Sequence, residues 1–290
     1  MDDILASIEA MRQQEDASGA CYNYLTNENI TIDESSRSAM VTYLQQVEQT
    51  LKFSPETTWI AISYLDRYLS SGRGNSHSAL HNKYQFQLLA ITCFYISTKL
   101  FEDVELSPLV LSKLCKGYYA AHAIRSMEEE VLFALNWRMA YPTPMEFVRE
   151  YIKLLPDAEL LHHQQHQHYD GALLQRAVLE RVAYSSSDMY FTFCSPSVVG
   201  VSALTSVLIS GGLLSKTQRQ DFYFLLARSV NLIDVMEAQV SIVLKLVSLL
   251  YVGGGLLHRG LGQFDVLKFS LNLTHHDISF YTIFLINYAE

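Results

Sequence analysis

The chain has 290 residues, of which 49% are hydrophobic and 18% are charged, and its formal net charge is −9. This length and apolar content allow a sizeable core in one large or two medium domains. The net negative charge argues against a basic face for nucleic acid. The apolar stretches at 84–101 and 278–288 are too short to cross a bilayer, so we expect neither nucleic acid nor a membrane as partner.

The first half of the chain predicts a short N-terminal helix followed by five more helices. Residues 3–15 place their apolar side chains on one side of a helix. Cap residues followed by an early acid or proline mark the helix starts near Asp33 and Ser54. The segment 70–83 is polar and contains glycine, so we expect an exposed loop there. The five helices are predicted over 37–51, 55–70, 84–101, 108–115 and 124–137.

The stretch Tyr84–Phe101 predicts the central helix of this half. From Phe86 to Ile96 it is apolar or small on almost every side, and its first charge comes at Lys99. A helix that is apolar all round is buried all round, so we expect other helices to pack about it. Lys99 falls at the C-terminal end, where the helix dipole favours a cation.

The second half repeats this order of helices, although no residue identity links the halves. We expect a histidine- and glutamine-rich linker at 162–168 and an irregular or disordered tail. No strand-like alternation of any length precedes the tail, so the predicted class is all-α, with two tandem five-helix bundles. The helices of the second half are predicted over 144–155, 173–189, 196–209, 216–228 and 232–250. The predicted domains are 1–35, 36–140, 141–250 and 251–290.

The chain contains no motif that would support catalysis. It lacks GxSxG, HExxH, a glycine-rich phosphate loop and a paired CxxC, so we expect no enzyme activity, metal site or cofactor. Four charged residues lie at the edges of apolar helical faces, where isolated burial would be expensive. Either they are paired or face a partner, or they are four ordinary surface charges, and the spacing alone does not decide between these alternatives. The four residues are Arg37, Asp66, Lys99 and Glu128.

Residues 37–150 resemble a cyclin box. The resemblance is carried by RSAMVTYLQQV, ISYLDRYLSS, FQLLAITCFYISTKLFED and RSMEEEVLFALNWRMAYPTPMEFV. It implies that Arg37 and Asp66 form a buried ion pair inside the box. It also implies that Lys99 and Glu128 contact a protein kinase. The apolar residues expected beside that contact are Leu88, Phe101 and Leu132.

The resemblance implies a regulatory subunit that binds and activates a cyclin-dependent serine/threonine kinase in cell-cycle control, in the nucleus, the cytoplasm or both. The second half resembles the degenerate C-terminal cyclin fold more loosely. On the first helix, cyclins carry a substrate-docking patch, and the residues at its positions here are Ser36, Met40 and Tyr43. This departure leaves the docking of kinase substrates open. The alternative is a non-kinase cyclin-fold adaptor in transcription, similar to transcription factor IIB or a retinoblastoma-type pocket protein.

Overall fold

The computed structural model describes a chain of α-helices joined by short turns, and it contains no strand among the residues described, which confirms the all-α class. Those residues are 2–18, 21, 23–25, 30–104, 106–155, 171–210, 214 and 216–226. The helices are α1 (Asp2–Ser18), α2 (Glu34–Leu51), α3 (Pro55–Ser71), α4 (Ser76–His81), α5 (Lys83–Phe101), α6 (Pro108–Leu114), α7 (Ala121–Ala134), α8 (Pro144–Ile152), α9 (Gly171–Ser185), α10 (Pro196–Ser210) and α11 (Lys216–Leu226), with a 3₁₀ turn at Met189–Thr192.

The helices belong to two compact units. The first unit, which we call the box unit, comprises Arg12–Thr143 together with Ala183–Ser195. The second comprises the described parts of Met1–Met11, Pro144–Val182 and Pro196–Glu290. One boundary between the units falls at Pro144, and residues of α1 belong to both units. The predicted domain bounds stay a prediction.

Helix starts follow the cap chemistry of the sequence. The Asp33 side chain accepts a hydrogen bond from the Ser36 amide at 2.7 Å and so begins α2. Ser54 and Ser107 cap α3 and α6, each followed by proline at the first helical position. Both arrangements satisfy amide groups that a helix N-terminus leaves without intrahelical partners.

Helix α5 lies in the core of the box unit, as its sequence predicts. Every side chain from Leu88 to Thr98 is buried, and α2, α3, α4 and α7 pack against the helix. The side chains from Leu88 to Thr98 are small, apolar or uncharged, so the helix can be packed on all sides without burying a charge. The core of the unit is therefore organised around α5.

The prediction of an exposed loop over 70–83 is wrong in part, because this segment contains α4. Ala79 and Leu80 of α4 are buried against the core. The Leu80 carbonyl accepts hydrogen bonds from the backbone amides of Thr31 and Ile32, at 3.0 and 3.1 Å. These bonds link segments fifty residues apart along the chain, and local sequence does not reveal them.

In the second unit, α8 packs against α10. A Cβ atom at Gly200 would lie 2.5 Å from the Pro144 carbonyl oxygen, so glycine permits this close approach. No described helix is long and apolar enough to cross a membrane. The predicted helix at 232–250, the linker at 162–168 and the tail at 251–290 lie outside the described residues, so the five-helix form of this half stays a prediction.

Candidate functional site

The C-terminal turn of α5 carries the buried helix out to the surface. Ser97 and Thr98 are fully buried, whereas Lys99, Leu100 and Phe101 are exposed. Helix α5 ends at Phe101, and the amide of the capping residue Glu102 donates to the Thr98 carbonyl. A rigid core helix therefore presents three consecutive side chains to solvent.

Glu102 fixes the position of this helix end. Its Oε1 atom accepts hydrogen bonds from the Ser54 backbone amide, at 2.8 Å, and from the Thr57 hydroxyl. The carboxylate thus lies at the N-terminus of α3, where the helix dipole favours negative charge. The end of α5 is in this way tied to the beginning of α3.

Helix α7 brings Glu128 against Lys99. The Lys99 Nζ atom lies 2.7 Å from Glu128 Oε1 and 5.2 Å from the centre of the Tyr95 ring. The hydrogen bond that Lys99 donates to Glu128 raises the pKa of Lys99, although partial burial opposes the rise. The two residues that the sequence predicts to share a kinase contact are therefore neighbours in the fold. We call them the Lys99–Glu128 pair.

The apolar residues predicted around this pair differ in exposure. Phe101 is exposed and Leu132 is half-buried, so both offer surface to a partner. Leu88 is only 4% exposed and belongs to the core cluster. Its side chain leaves a partner almost no surface, so we assign it to core packing instead of direct contact.

The structure adds an aromatic pair that sequence reasoning missed. Phe133 and Trp137 are 67% and 62% exposed, and their rings meet edge to face with centroids 5.9 Å apart. Trp137 has a left-handed backbone, with φ of 59°, and its amide donates to the Leu132 carbonyl at 2.9 Å. A bulky residue rarely adopts a left-handed backbone. The hydrogen bond to Leu132 at the end of the helix keeps Trp137 in this conformation and so holds its exposed side chain in a defined position. The signal in the sequence is the four-residue spacing of two aromatics on the solvent side of α7.

Inside the box unit, Arg37 and Asp66 form a bidentate ion pair. Arg37 Nε and Nη2 donate to Asp66 Oδ1 and Oδ2 at 3.0 and 2.6 Å, and both residues are buried. Arg37 Nη1 also donates to the Ser186 carbonyl at 3.0 Å, and the Tyr24 hydroxyl donates to Asp66 Oδ1 at 2.6 Å. Burial opposes the charge on Arg37, yet the neighbouring carboxylate holds its pKa above the ordinary value. Nearly every polar atom of this charged cluster thus has a partner.

The candidate docking residues lie on the outer side of α2. Ser36, Met40 and Tyr43 line a cavity of about 560 Å³, in which Met40 is buried and Tyr43 is exposed. The cavity continues along the first half of α5 and the turn that precedes α7. The three residues therefore share one concave surface.

The described residues give no support for catalysis by a metal. No group of three or more histidine, cysteine, aspartate or glutamate side chains comes close enough there to hold a metal ion. The four cysteines are free, and burial raises the pKa of Cys21 to about 12, so its thiol stays protonated at neutral pH.

Comparison of the sequence with known proteins finds similarity to cyclins. The model of the cyclin N-terminal domain matches residues 6–140. The G2/mitotic-specific cyclin-2 of Antirrhinum majus is 32% identical over 132 residues, which cover 44% of this chain and 28% of that protein. Cyclin-A1-2 of Arabidopsis thaliana is 30% identical over 146 residues, covering 50% of this chain and 31% of that protein.

A longer match and a solved structure extend the likeness. The human G1/S-specific cyclin-D1 is 25% identical over 221 residues, covering 74% of this chain and 68% of that protein. The matched part of the chain thus spans less than a third of the two plant proteins and about two thirds of the human one. A viral cyclin from herpesvirus saimiri shares the fold, with a TM-score of 0.61 and 15% identity over 81% of this chain and 96% of that one.

Proposed function

We propose that this chain, which is a cyclin by the box in residues 6–140, binds a cyclin-dependent serine/threonine kinase and activates it in cell-cycle control. One observation carries the proposal. The Lys99–Glu128 pair lies at the exposed end of a buried helix, with exposed apolar side chains beside it. The relatives named for G2/mitosis and for G1/S support a role in the cell cycle.

Activation of this kind requires a binding surface and no catalytic group. A protein kinase needs the glutamate of its regulatory helix turned inward, paired with the lysine that positions ATP. A partner that binds the inward state more tightly shifts the population towards activity. The cyclin acts as that partner, so it contributes no reacting atom.

The Lys99–Glu128 pair can bind the kinase helix while it remains intact. An ammonium group has three donors and a carboxylate about four acceptor positions, whereas the bond between them uses one of each. Lys99 would donate to backbone carbonyls of the kinase helix, and Glu128 would accept from backbone amides. Bonds that involve ions are worth about 1.5–3 kcal/mol each, which suits a few anchoring contacts.

The exposed apolar side chains supply the rest of this surface. Phe101 follows Lys99 by two residues on α5, and Leu132 follows Glu128 by four residues on α7. We add Phe133 and Trp137 because exposed aromatics held in place are typical binding hot spots. Burial of two large aromatic rings removes apolar surface from water, which favours association. The proposed contact surface therefore combines an ion pair with exposed apolar and aromatic side chains.

The buried pair of Arg37 and Asp66 serves this surface indirectly. Asp66 is on α3, which packs directly against α5, and Arg37 joins α3 to α2. The pair thus fixes the helices that hold α5 in place. We assign it a structural role and expect no direct contact with the kinase.

The cavity beside Ser36, Met40 and Tyr43 is proposed to dock kinase substrates. It is lined by α2, the first half of α5 and residues 115–119, whereas the Lys99–Glu128 pair lies at the C-terminal end of α5 and on α7. A cyclin can therefore hold the kinase by one set of residues and a substrate by another. A nuclear or cytoplasmic location is part of the same proposal.

Purification of the full chain from cells of its source, followed by a kinase assay, tests the proposed function. We expect a cyclin-dependent kinase to copurify and to phosphorylate a histone substrate. Addition of the purified chain to a panel of isolated cyclin-dependent kinases should raise the activity of at least one of them. Recovery of transcription factors or promoter DNA without a kinase would contradict the proposal and favour the adaptor.

A further inference from the structure

The cavity beside α2 is built from three segments of the box unit. These are the first half of α2, the first half of α5, and residues 115–119 before α7. Its volume of about 560 Å³ is typical of pockets that enclose small ligands or a few side chains of a peptide. The cavity thus accommodates a short linear segment and no folded domain.

One wall of the cavity is a rigid aromatic cluster. Tyr118 and Tyr119 pack edge to face at 4.9 Å, and Tyr84 lies within 5.4 Å of both ring centres. The Tyr119 hydroxyl donates to Gln87 Oε1 at 3.0 Å. A wall fixed by such contacts loses little conformational entropy on binding, so it is preorganised for apolar side chains.

The charge of the cavity is positive. Lys83 is the charged side chain among the described residues that line it, and no carboxylate belongs to that lining. Burial raises the pKa of the Cys115 thiol and of the Tyr43 hydroxyl, so neither adds negative charge at neutral pH. The exposed Lys116 follows Cys115 directly and adds a second cation beside the cavity.

Two helix N-termini strengthen this positive field. Ser35 and Ser36 belong to the first turn of α2, and Lys83 and Phe86 to the first turn of α5. The amide ends of helices favour anions nearby. Two acids stand at the start of α2: Glu34 in its first turn, and Asp33, whose Oδ1 atom accepts bonds from the Ser36 amide and hydroxyl. Both weaken the field at α2, and Asp33 is near enough for Lys83 to contribute to lowering its pKa, after the larger effect of the Ser36 hydrogen bonds, but neither carboxylate lines the cavity.

From this lining we infer that the cavity recognises an acidic, apolar linear segment of a protein substrate and discriminates against a basic one. Apolar residues of the segment contact Tyr43 and Tyr118, which are 37% and 62% exposed, and a carboxylate of the segment meets Lys83. A basic residue would find no carboxylate in the lining and would be repelled by the lysine. This inference rests on the proposed substrate-docking role, and it names the chemistry of the docked substrate.

Two labelled peptides test the inference directly. One is a fluorescein-labelled octapeptide with two leucines and one phenylalanine among aspartates, and the other carries lysine in place of each aspartate. By fluorescence anisotropy with the full chain, the acidic peptide should bind about tenfold more tightly, as expected for one charge-assisted contact. Raising the salt concentration should weaken the acidic peptide's binding. Equal binding of the two peptides, tighter binding of the basic one, or no binding of either overturns the inference.

Charge reversal locates the contact. Lys83→Glu should abolish the preference for the acidic peptide, while Arg73→Glu, which changes an exposed arginine outside the cavity lining, should leave it intact. Tyr43→Ala should weaken the acidic peptide by about tenfold through lost apolar contact. An unchanged preference in Lys83→Glu contradicts the inference. If Lys83→Glu does not fold, the test is whether salt weakens the binding of the acidic peptide to the unmodified protein.

A kinase assay separates this inference from the proposed function. Phosphorylation of a short substrate peptide with no flanking segment reports activation alone, and it should be equal with the unmodified chain and with the control Arg73→Glu. If activation occurs but neither octapeptide binds, the inference fails and the proposed function stands. If the acidic peptide binds but no kinase is activated, the proposed function fails.

Discussion

Removal of one partner of the buried Arg37–Asp66 pair should destabilise the protein strongly. Either Arg37→Met or Asp66→Leu leaves an opposite charge inside the box unit, where both residues are buried. Stranding a buried charge costs about 3–5 kcal/mol. A domain of about 150 residues loses about 3 °C of melting temperature per kcal/mol, so we expect a fall of about 10–15 °C. Since proteins are stable by about 5–15 kcal/mol, either variant should lose a large part of its stability.

The double variant tests the physical reason for this loss. Arg37→Met with Asp66→Leu removes both charges, so it should cost less than the sum of the single variants by at least about 2 kcal/mol. Some loss should remain, because the Tyr24 hydroxyl and the Ser186 carbonyl each lose a partner. Urea and thermal unfolding of the four proteins of this cycle give the coupling energy.

An exposed ion pair supplies the matched control. Arg176 and Glu180 lie one helical turn apart on α9, 3.5 Å from each other, with side chains that are 77% and 70% exposed. Arg176→Met should change stability by no more than about 0.5 kcal/mol, because water screens such a pair. The reasoning would be refuted if each single variant of the buried pair lowered the free energy of unfolding by less than about 1 kcal/mol. It would also be refuted if the losses of the two single variants were simply additive in the double variant.

Three further predictions test other parts of the structure. Burial raises the pKa of Glu48 above its usual value of 4.5, so ionisation of this carboxyl group destabilises the fold. Glu48→Gln should therefore be more stable than the unmodified protein at pH 7, and this gain in stability should disappear below pH 4.5. Urea unfolding at several pH values measures the difference. Gly200→Ala should destabilise the protein by about 1–3 kcal/mol, because the new methyl group meets the Pro144 carbonyl. In an unobstructed helix the same change would stabilise the protein, so a gain in stability would contradict the close packing. Trp137→Gly should change stability by no more than about 1 kcal/mol, because glycine adopts the left-handed backbone without strain. The same variant should bind the kinase about tenfold or more weakly. Unchanged affinity by calorimetry would exclude Trp137 from the contact.

Sequence alone predicts the core of this fold well because burial on all sides leaves a local pattern. The run from Phe86 to Ile96 carries no charge, and the structure places it at the centre of the box unit. Helix α4 leaves no such pattern. Its sequence is short and mostly polar, and two apolar residues together with long-range backbone bonds to Thr31 and Ile32 hold it in place. Tertiary contacts of this kind are invisible to periodicity.

The residues of the candidate site likewise include some that the sequence predicts and some that it does not. Lys99 and Glu128 could be selected from their places at the edges of helices, and the structure sets them 2.7 Å apart. Leu88 and Phe133 could not be sorted in this way, since hydrophobicity does not say which apolar residues face solvent. One is packed in the core and the other is largely exposed. Only the packing of α5 and α7 in the box unit decides which side chains remain available to a partner.

The affinity of the chain for its kinase, measured with Lys99→Ala and a matched control, tests the central claim most directly. The control is Lys153→Ala, which removes an exposed lysine paired with Glu150 at 2.5 Å in the second unit. By calorimetry, Lys99→Ala should bind the kinase at least about tenfold more weakly and fail to activate it, with its melting temperature nearly unchanged. Lys153→Ala should behave as the unmodified chain does. Full affinity and full activation by Lys99→Ala would contradict the account.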